Sequence, residues 1–185
     1  MSDRSPLPDL SFVIPVRNVE EDIGHRVRAI AGHLRSLGVP FEIIAVNDGS
    51  TDNSFAILRL LSATLPELRI LTAEYPGRAY IRGASEARGG VILLADCERP
   101  APLAPLRWAM GRLAAGRDAV ILRGRYIVAR RLPVLTTIAR AGGRGPAFER
   151  NFEQRGSALR IEVVGTAPRR PGRDLLEPVF RMLAV

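Results

Sequence analysis

The sequence predicts an α/β fold in which a mainly parallel sheet is covered by helices on both faces. Two observations lead there. Short apolar runs alternate along the chain with segments of helical periodicity, the spacing that βαβ units produce. The chain has 185 residues, 46% hydrophobic and 25% charged, the size and composition of a single soluble domain with a sizeable core.

The elements follow in order. "LSFVIPV" is a short apolar run that reads as a buried strand. In the segment after it, Ile23, Val27, Ile30, Leu34 and Leu37 recur at helical spacing. Asn18 is placed to cap this helix, Glu21 stands at the capping-box position, and Gly38-Val39-Pro40 stops it. The unit then repeats: "FEIIAV" is a strand, "NDGSTDNS" a loop with Asp52 as N-cap, and "FAILRLLSATL" a helix ended by Pro66. A third strand, "LRILTA", leads through the loop "EYPGR" to the helix "AYIRGASEARGG" and the strand "VILLA". "LAPLRWAMGRLAAG" is an amphipathic helix with Trp108, Met110 and Leu113 as core, and "DAVILR" is a further strand. Beyond Tyr126, "VARRLPVLTTIARAGGRGP" is rich in Arg and Gly and has no clear period. "AFERNFEQRG" reads as a short helix, "LRIEVVGTAP" as a strand, and "RRPGRDLLEPVFRMLAV" as a basic loop with a tail. The expected organisation is one domain over 1–185, with a ligand-binding part in 1–126 and a shorter part in 127–185.

Charge narrows the function classes. The formal charge of +8 comes from arginine alone, since the chain has no lysine. Arginine binds phosphate and carboxylate groups in a bidentate manner, so anionic partners are expected. No aromatic-interleaved basic motif or recognition-helix pattern accompanies the charge, so nucleic acid is not expected as a partner. The arginines from Arg123 to Arg144 read equally as a solvated face or as phosphate ligands. Cys97 is the only cysteine, which excludes an intrachain disulfide framework and fits a reducing, cytoplasmic setting. Its simplest role is a small buried filler. Arg or Pro interrupts every apolar run well short of the roughly 20 residues a membrane span needs, so any membrane contact is expected to be peripheral, at the inner face. His25 and His33 are eight residues apart on one helix, too far to share a metal.

In open parallel sheets, ligands bind beyond the carboxyl ends of the strands. Three acid-bearing loops are expected at that edge: Asn18 to Glu21, Asp48 to Asp52, and Asp96 to Glu98. Asp48 and Asp96 are expected at neighbouring strand ends. Two carboxylates one residue apart, Asp96 and Glu98, can aim together at a hard divalent cation, Mg2+ or Mn2+, which also takes diphosphate oxygens. The same triplet also occurs as a plain solvated turn, and Asp52 reads first as a helix cap.

Four stretches in this order and spacing, "SFVIPVRNVEEDI", "EIIAVNDGSTDNS", "AYIRGASEARGGVILLADCERP" and "DAVILRGRY", resemble the family 2 glycosyltransferases. The resemblance is greatest to the polyprenol-phosphate enzymes, which include the dolichol-phosphate mannosyltransferase-like proteins, and it spans about residues 10 to 130. It implies a GT-A fold, a nucleotide-diphosphate sugar donor carrying GDP or UDP, a divalent metal, and transfer of a hexose with inversion to a polyprenyl phosphate or similar acceptor. By position, it places Pro15, Arg17 and Glu20 at the nucleoside, with Arg17 where tyrosine is usual, and Asp48 with Gly49 at the base. Arg78 lies in the loop that approaches the donor. Asp96 and Glu98 fall on the metal-binding Asp-x-Asp, with Glu98 where a second aspartate is usual. Arg125 matches the family's Arg-Tyr and is expected to hold the acceptor phosphate, which makes it, with Asp96, the expected catalytic pair. The longer Glu98 side chain sets its carboxylate about 1.5 Å farther out. "EYPGR" is about two residues shorter than the family's loop, and the acceptor-side segment is shortened. These departures leave a second function class open, a catalytically inactive GT-A-fold binding or scaffold protein.

Overall fold

The computed structural model describes residues 8–95, 103–123, 126–141, 143 and 145–165. In chain order the elements are β1 (Leu10–Val16), α1 (Ile23–Arg35), β2 (Phe41–Asn47), α2 (Ser54–Ser62), β3 (Leu68–Thr72), α3 (Ala79–Glu86) and β4 (Val91–Ala95). They continue with α4 (Leu106–Ala114), β5 (Ala119–Leu122), β6 (Tyr126–Arg130), α5 (Arg131–Ala141), α6 (Gly145–Arg155) and β7 (Ile161–Val164). The strands form one seven-stranded sheet in the order β3-β2-β1-β4-β6-β5-β7. Every pairing is parallel except the two that involve β6.

The strands are apolar on consecutive residues because both faces are covered. Phe12, Ile14, Ile43, Ala45 and Leu93 enter a core built with α1, α2 and α4. Val13, Ile44, Val46, Ile92 and Leu94 enter a second core on the opposite face, with α3, α5 and α6. The second core includes an aromatic series, Tyr80 to Phe148 at 4.6 Å and Phe148 to Phe152 at 6.3 Å between ring centres. Helix α3 lies so close to β1 that a Cβ on Gly83 would come within 2.2 Å of the Val13 side chain. Glycine at this position lets the helix pack directly on the strand.

Three sequence expectations are corrected. Asn18 does not cap α1, which begins at Ile23 after Asp22 with no side-chain cap. Its φ of 48° is left-handed, a conformation Asn tolerates, and its side chain is engaged by Thr51 instead. The stretch without a clear period contains a strand and a helix. Tyr126 and Val128 enter the first core while Ile127 and Ala129 enter the second, and Pro133 sits in the first turn of α5, where backbone N–H groups have no helical partner. Finally, the ends of β2 and β4 are not neighbours, because β1 stands between them.

The far edge of the sheet is tied by a charged junction. The Asp118 carboxylate accepts from the Arg160 backbone N–H at 2.9 Å and from its guanidinium Nε and Nη2, each at 3.2 Å. The hydrogen bonds from the Arg160 side chain and backbone hold the Asp118 carboxyl below its ordinary 3.8, against the opposing effect of burial. A depressed carboxylate contributes stability that is present above its unfolded value and is lost as pH falls through its folded value. Acid unfolding followed by circular dichroism should therefore show a loss of stability below about pH 4 that Asp118→Asn reduces.

Candidate functional site

Strands β1 and β2 run side by side in parallel, with Val16 opposite Asn47, so the loops that follow them leave the sheet as neighbours. The ladder extends one step past the strands, since the Asp48 N–H donates to the Val16 carbonyl at 2.9 Å. Gly49 then takes φ 81°, and the Asn47 side-chain oxygen accepts from the Ser50 N–H three residues on at 3.0 Å, which holds the turn closed.

From there the two loops are joined by a series of hydrogen bonds. The Thr51 N–H donates to Asn18 Oδ1 at 2.8 Å, and the Asn18 N–H to Ser50 Oγ at 3.3 Å. The Val19 N–H donates to Ser54 Oγ at 2.9 Å. Two bonds are reciprocal: the Glu20 N–H donates to Asp52 Oδ2 at 3.0 Å, and the Asn53 N–H to Glu20 Oε2 at 2.8 Å. Asp52 Oδ1 also accepts from the Ser54 N–H at 2.9 Å, so it serves the first residue of α2, although the N-cap position falls on Asn53 and not on Asp52 as expected. Desolvation pushes the Asp52 carboxyl up, but hydrogen bonds from the Ser54 hydroxyl and backbone and from the Glu20 backbone outweigh it and hold it below 3.8. Asp52 therefore stays an acceptor at neutral pH.

A third loop is held by Asp48. Its side chain is buried, and both carboxylate oxygens accept from the Gly77 N–H, at 2.9 and 3.1 Å. Gly77 is left-handed at φ 84°, which turns that N–H toward the acid. Arg78 follows immediately, exposed at the start of α3. Glu74, Tyr75, Arg78, Ile81 and Arg82 line a depression of about 290 Å³, close to the lower end of the range for small-molecule sites.

The expected site residues thus fall into two groups. Pro15, near the end of β1, lies at one edge of the sheet with Arg17, Glu20, Asp48, Gly49 and Arg78, which are on three loops that hydrogen bonds connect. Arg17 and Gly49 are exposed and Pro15 and Glu20 half-buried. Asp96, Cys97, Glu98 and Arg125 lie outside the described residues. The described residues next to them in sequence, Ala95 and Tyr126, are paired across β4 and β6. Among the described residues no group of three or more His, Cys, Asp or Glu is arranged to hold a metal, and no helix is long and apolar enough to cross a membrane. Sequence reasoning missed the cross-loop role of Asn18, Ser50 and Ser54. Their residue types signal turns and caps, and nothing local reveals a partner more than 30 residues away.

Residues 11–98, which run through β1, β2, β3 and β4 with their connecting helices, match the model of glycosyl transferase family 2. This part of the chain is similar to glycosyl transferase family 2. An undecaprenyl-phosphate 4-deoxy-4-formamido-L-arabinose transferase of Pseudomonas paraeruginosa is 32% identical over 119 residues, 62% of this chain and 35% of the relative. One of the same description from Salmonella paratyphi A is 28% identical over 124 residues, 65% of this chain and 38% of the relative. The chain therefore spans little more than a third of the length of these curated relatives. Among solved structures, a mannosyltransferase from Pyrobaculum calidifontis in complex with GDP-Man and Mn2+ superposes with a TM-score of 0.65 at 16% identity, covering 98% of this chain and 64% of that one. A glucosyl-3-phosphoglycerate synthase from Mycobacterium tuberculosis, in complex with Mn2+ and UDP-glucose, gives 0.62 at 19% identity, covering 96% and 77%. At these identities the likeness establishes the fold, a GT-A fold with a mostly parallel sheet.

Proposed function

We propose that the chain transfers a sugar from a nucleotide-diphosphate donor, GDP- or UDP-linked, to a polyprenyl phosphate, with a divalent metal and inversion at the anomeric carbon. The observation that carries this reading is the hydrogen-bonded set of three loops at the carboxyl edge of β1, β2 and β3, in a chain whose relatives are named as undecaprenyl-phosphate sugar transferases. Solved structures of the same fold contain GDP-Man or UDP-glucose with Mn2+.

In this reading Arg17, Glu20, Asp48 and Gly49 face the nucleoside, and Arg78 approaches the donor from the third loop. Asp96 and Glu98 offer an all-oxygen donor set that suits Mg2+ or Mn2+, and the bound ion supplies charge neutralisation for the leaving diphosphate. A phosphate acceptor is already anionic near neutral pH, so its attack needs no general base. An acceptor oxygen forms the new bond to the anomeric carbon as the bond to the donor diphosphate breaks, and the electron pair leaves with the nucleoside diphosphate. Arg125 holds the acceptor phosphate by bidentate hydrogen bonds. A polyprenyl acceptor places the reaction at a membrane surface, with the domain bound peripherally.

Two carboxylates leave most of an octahedral shell to water, so metal affinity without nucleotide should be weak and should tighten once diphosphate oxygens join. Calorimetry with UDP and GDP should show tighter binding with Mn2+ than with chelator. Glu98→Asp should keep that gain and Glu98→Ala lose most of it. Equal affinity with Mn2+ and with chelator would show that the two acids are no metal site and would favour a non-catalytic binding protein.

A further inference from the structure

We infer that Asp52 and Asn18 are positioning residues that clamp the loop after β1 onto the loop after β2, so that Arg17, Glu20 and Asp48 meet a nucleoside as one rigid surface. The inference rests on the donor-binding reading above for what the surface meets, and on geometry alone for the clamp.

The bonds divide by the atoms they engage. Residues 18, 19 and 20 in the first loop each donate their backbone N–H to a side chain across the gap: Ser50 of the second loop, Ser54 at the start of α2, and Asp52 of the second loop in turn. In return, Thr51 and Asn53 donate backbone N–H groups to the side chains of Asn18 and Glu20. Five backbone donors are thus satisfied across the gap, where isolated loops would leave them to water. Asp52 does the most, because one oxygen holds Glu20 and the other fixes the start of α2 through Ser54. Its carboxylate therefore ties the backbone of Glu20 to the helix that follows the Asp48 loop.

The Glu20 side chain is committed in the same way, since the Asn53 N–H occupies its Oε2. This orients the carboxylate instead of leaving it to sample rotamers, and a loop ordered beforehand loses less entropy when ligand binds. Asn18 completes the clamp at its outer end. Its left-handed backbone turns the chain so that Oδ1 reaches Thr51. Neither residue needs to touch the ligand for its loss to weaken binding.

The test uses the full chain, UDP and GDP with Mn2+, and three variants. Asp52→Ala removes the central acceptor. Asn18→Gly removes the outer one while keeping the left-handed backbone accessible. Asp22→Ala, an acid beside the first loop that makes none of the cross-loop bonds, is the control. Hydrogen–deuterium exchange should rise in residues 17–21 of the Asp52 variant, some 30 positions from the substitution, with the sheet strands unchanged. Nucleotide affinity should fall about tenfold in Asp52→Ala and less in Asn18→Gly, seen as a rise in KM for the donor with kcat largely kept. The control should bind as the parent does. If the parent binds nucleotide and both variants bind equally well, the positioning role is overturned and the donor-binding reading survives. Unchanged exchange in residues 17–21 would also overturn it. If the parent binds neither UDP nor GDP, the donor-binding reading falls and takes the nucleoside clamp with it, whatever the exchange shows.

Discussion

Asp96→Ala is expected to lower sugar transfer by about a hundred- to a thousandfold, the usual effect of removing a group that stabilises charge on a leaving or developing anion. The loss should fall on kcat, since the acid is assigned to the departing diphosphate, and nucleotide measured in chelator should bind the variant as it binds the parent. Asp48→Ala is expected to fail differently. Its carboxylate holds the Gly77 N–H with both oxygens and is proposed to face the nucleoside, so its removal should free the Arg78 loop and, on that proposal, take a ligand from the base at once. Nucleotide affinity should then drop with chelator and with Mn2+ alike. Steady-state kinetics with UDP- and GDP-sugars, run beside calorimetry, separates the two patterns. Unchanged turnover in both variants would remove the assignment of this edge as the active site.

The largest effect on stability should come from Glu42, far from that edge. Its side chain is 6% exposed and lies at the opposite end of the sheet. Oε1 accepts from the Ser11 hydroxyl at 2.6 Å and from the Arg88 N–H at 2.7 Å, and Oε2 accepts from Arg69 at 2.6 Å. The Ser11 hydroxyl in turn accepts from the Gly89 N–H at 2.9 Å. One carboxylate thus joins β1, β2, β3 and the entry to β4. Glu42→Ala leaves the Arg69 guanidinium without its buried counter-ion and several donors without an acceptor, a change that costs about 3–5 kcal/mol when a buried pair is broken. For a chain of this size that lowers Tm by about 10 °C. Glu42→Gln should cost less, because the amide oxygen can still serve part of the set. The more exposed pair of Arg35 and Glu67 is the comparison: Arg35→Ala should cost under about 1 kcal/mol. Denaturant midpoints for the three variants would check this order, and similar losses at Glu42 and Arg35 would show that the buried network adds nothing.

The sequence by itself determined the layered fold and the edge at which to look. Leu10–Val16, Phe41–Asn47 and Val91–Ala95 are apolar on consecutive residues, and only a strand covered on both faces accommodates that. Helical periodicity between them left a parallel sheet as the consistent topology, and acids just past the strand ends marked its carboxyl edge. Local chemistry also announced Asp52, as an acceptor before a helix. What only the tertiary structure decided is which groups meet. The order β2-β1-β4 is not written in the spacing of the strands, so the ends of β2 and β4 read as neighbours although β1 stands between those strands. Asn18 read as a cap because its sequence context allows one, yet Thr51 on the adjacent loop outcompetes the local helix for its oxygen. Strand β6 and helix α5 were hidden in an Arg- and Gly-rich stretch, because their stability comes from packing against β4, β5, α3 and α6 and not from periodicity of their own. Glu42 gave no local signal at all. A lone acid in an apolar strand becomes legible only when Ser11, Arg69, Arg88 and Gly89, spread over most of the first 90 residues, converge on it.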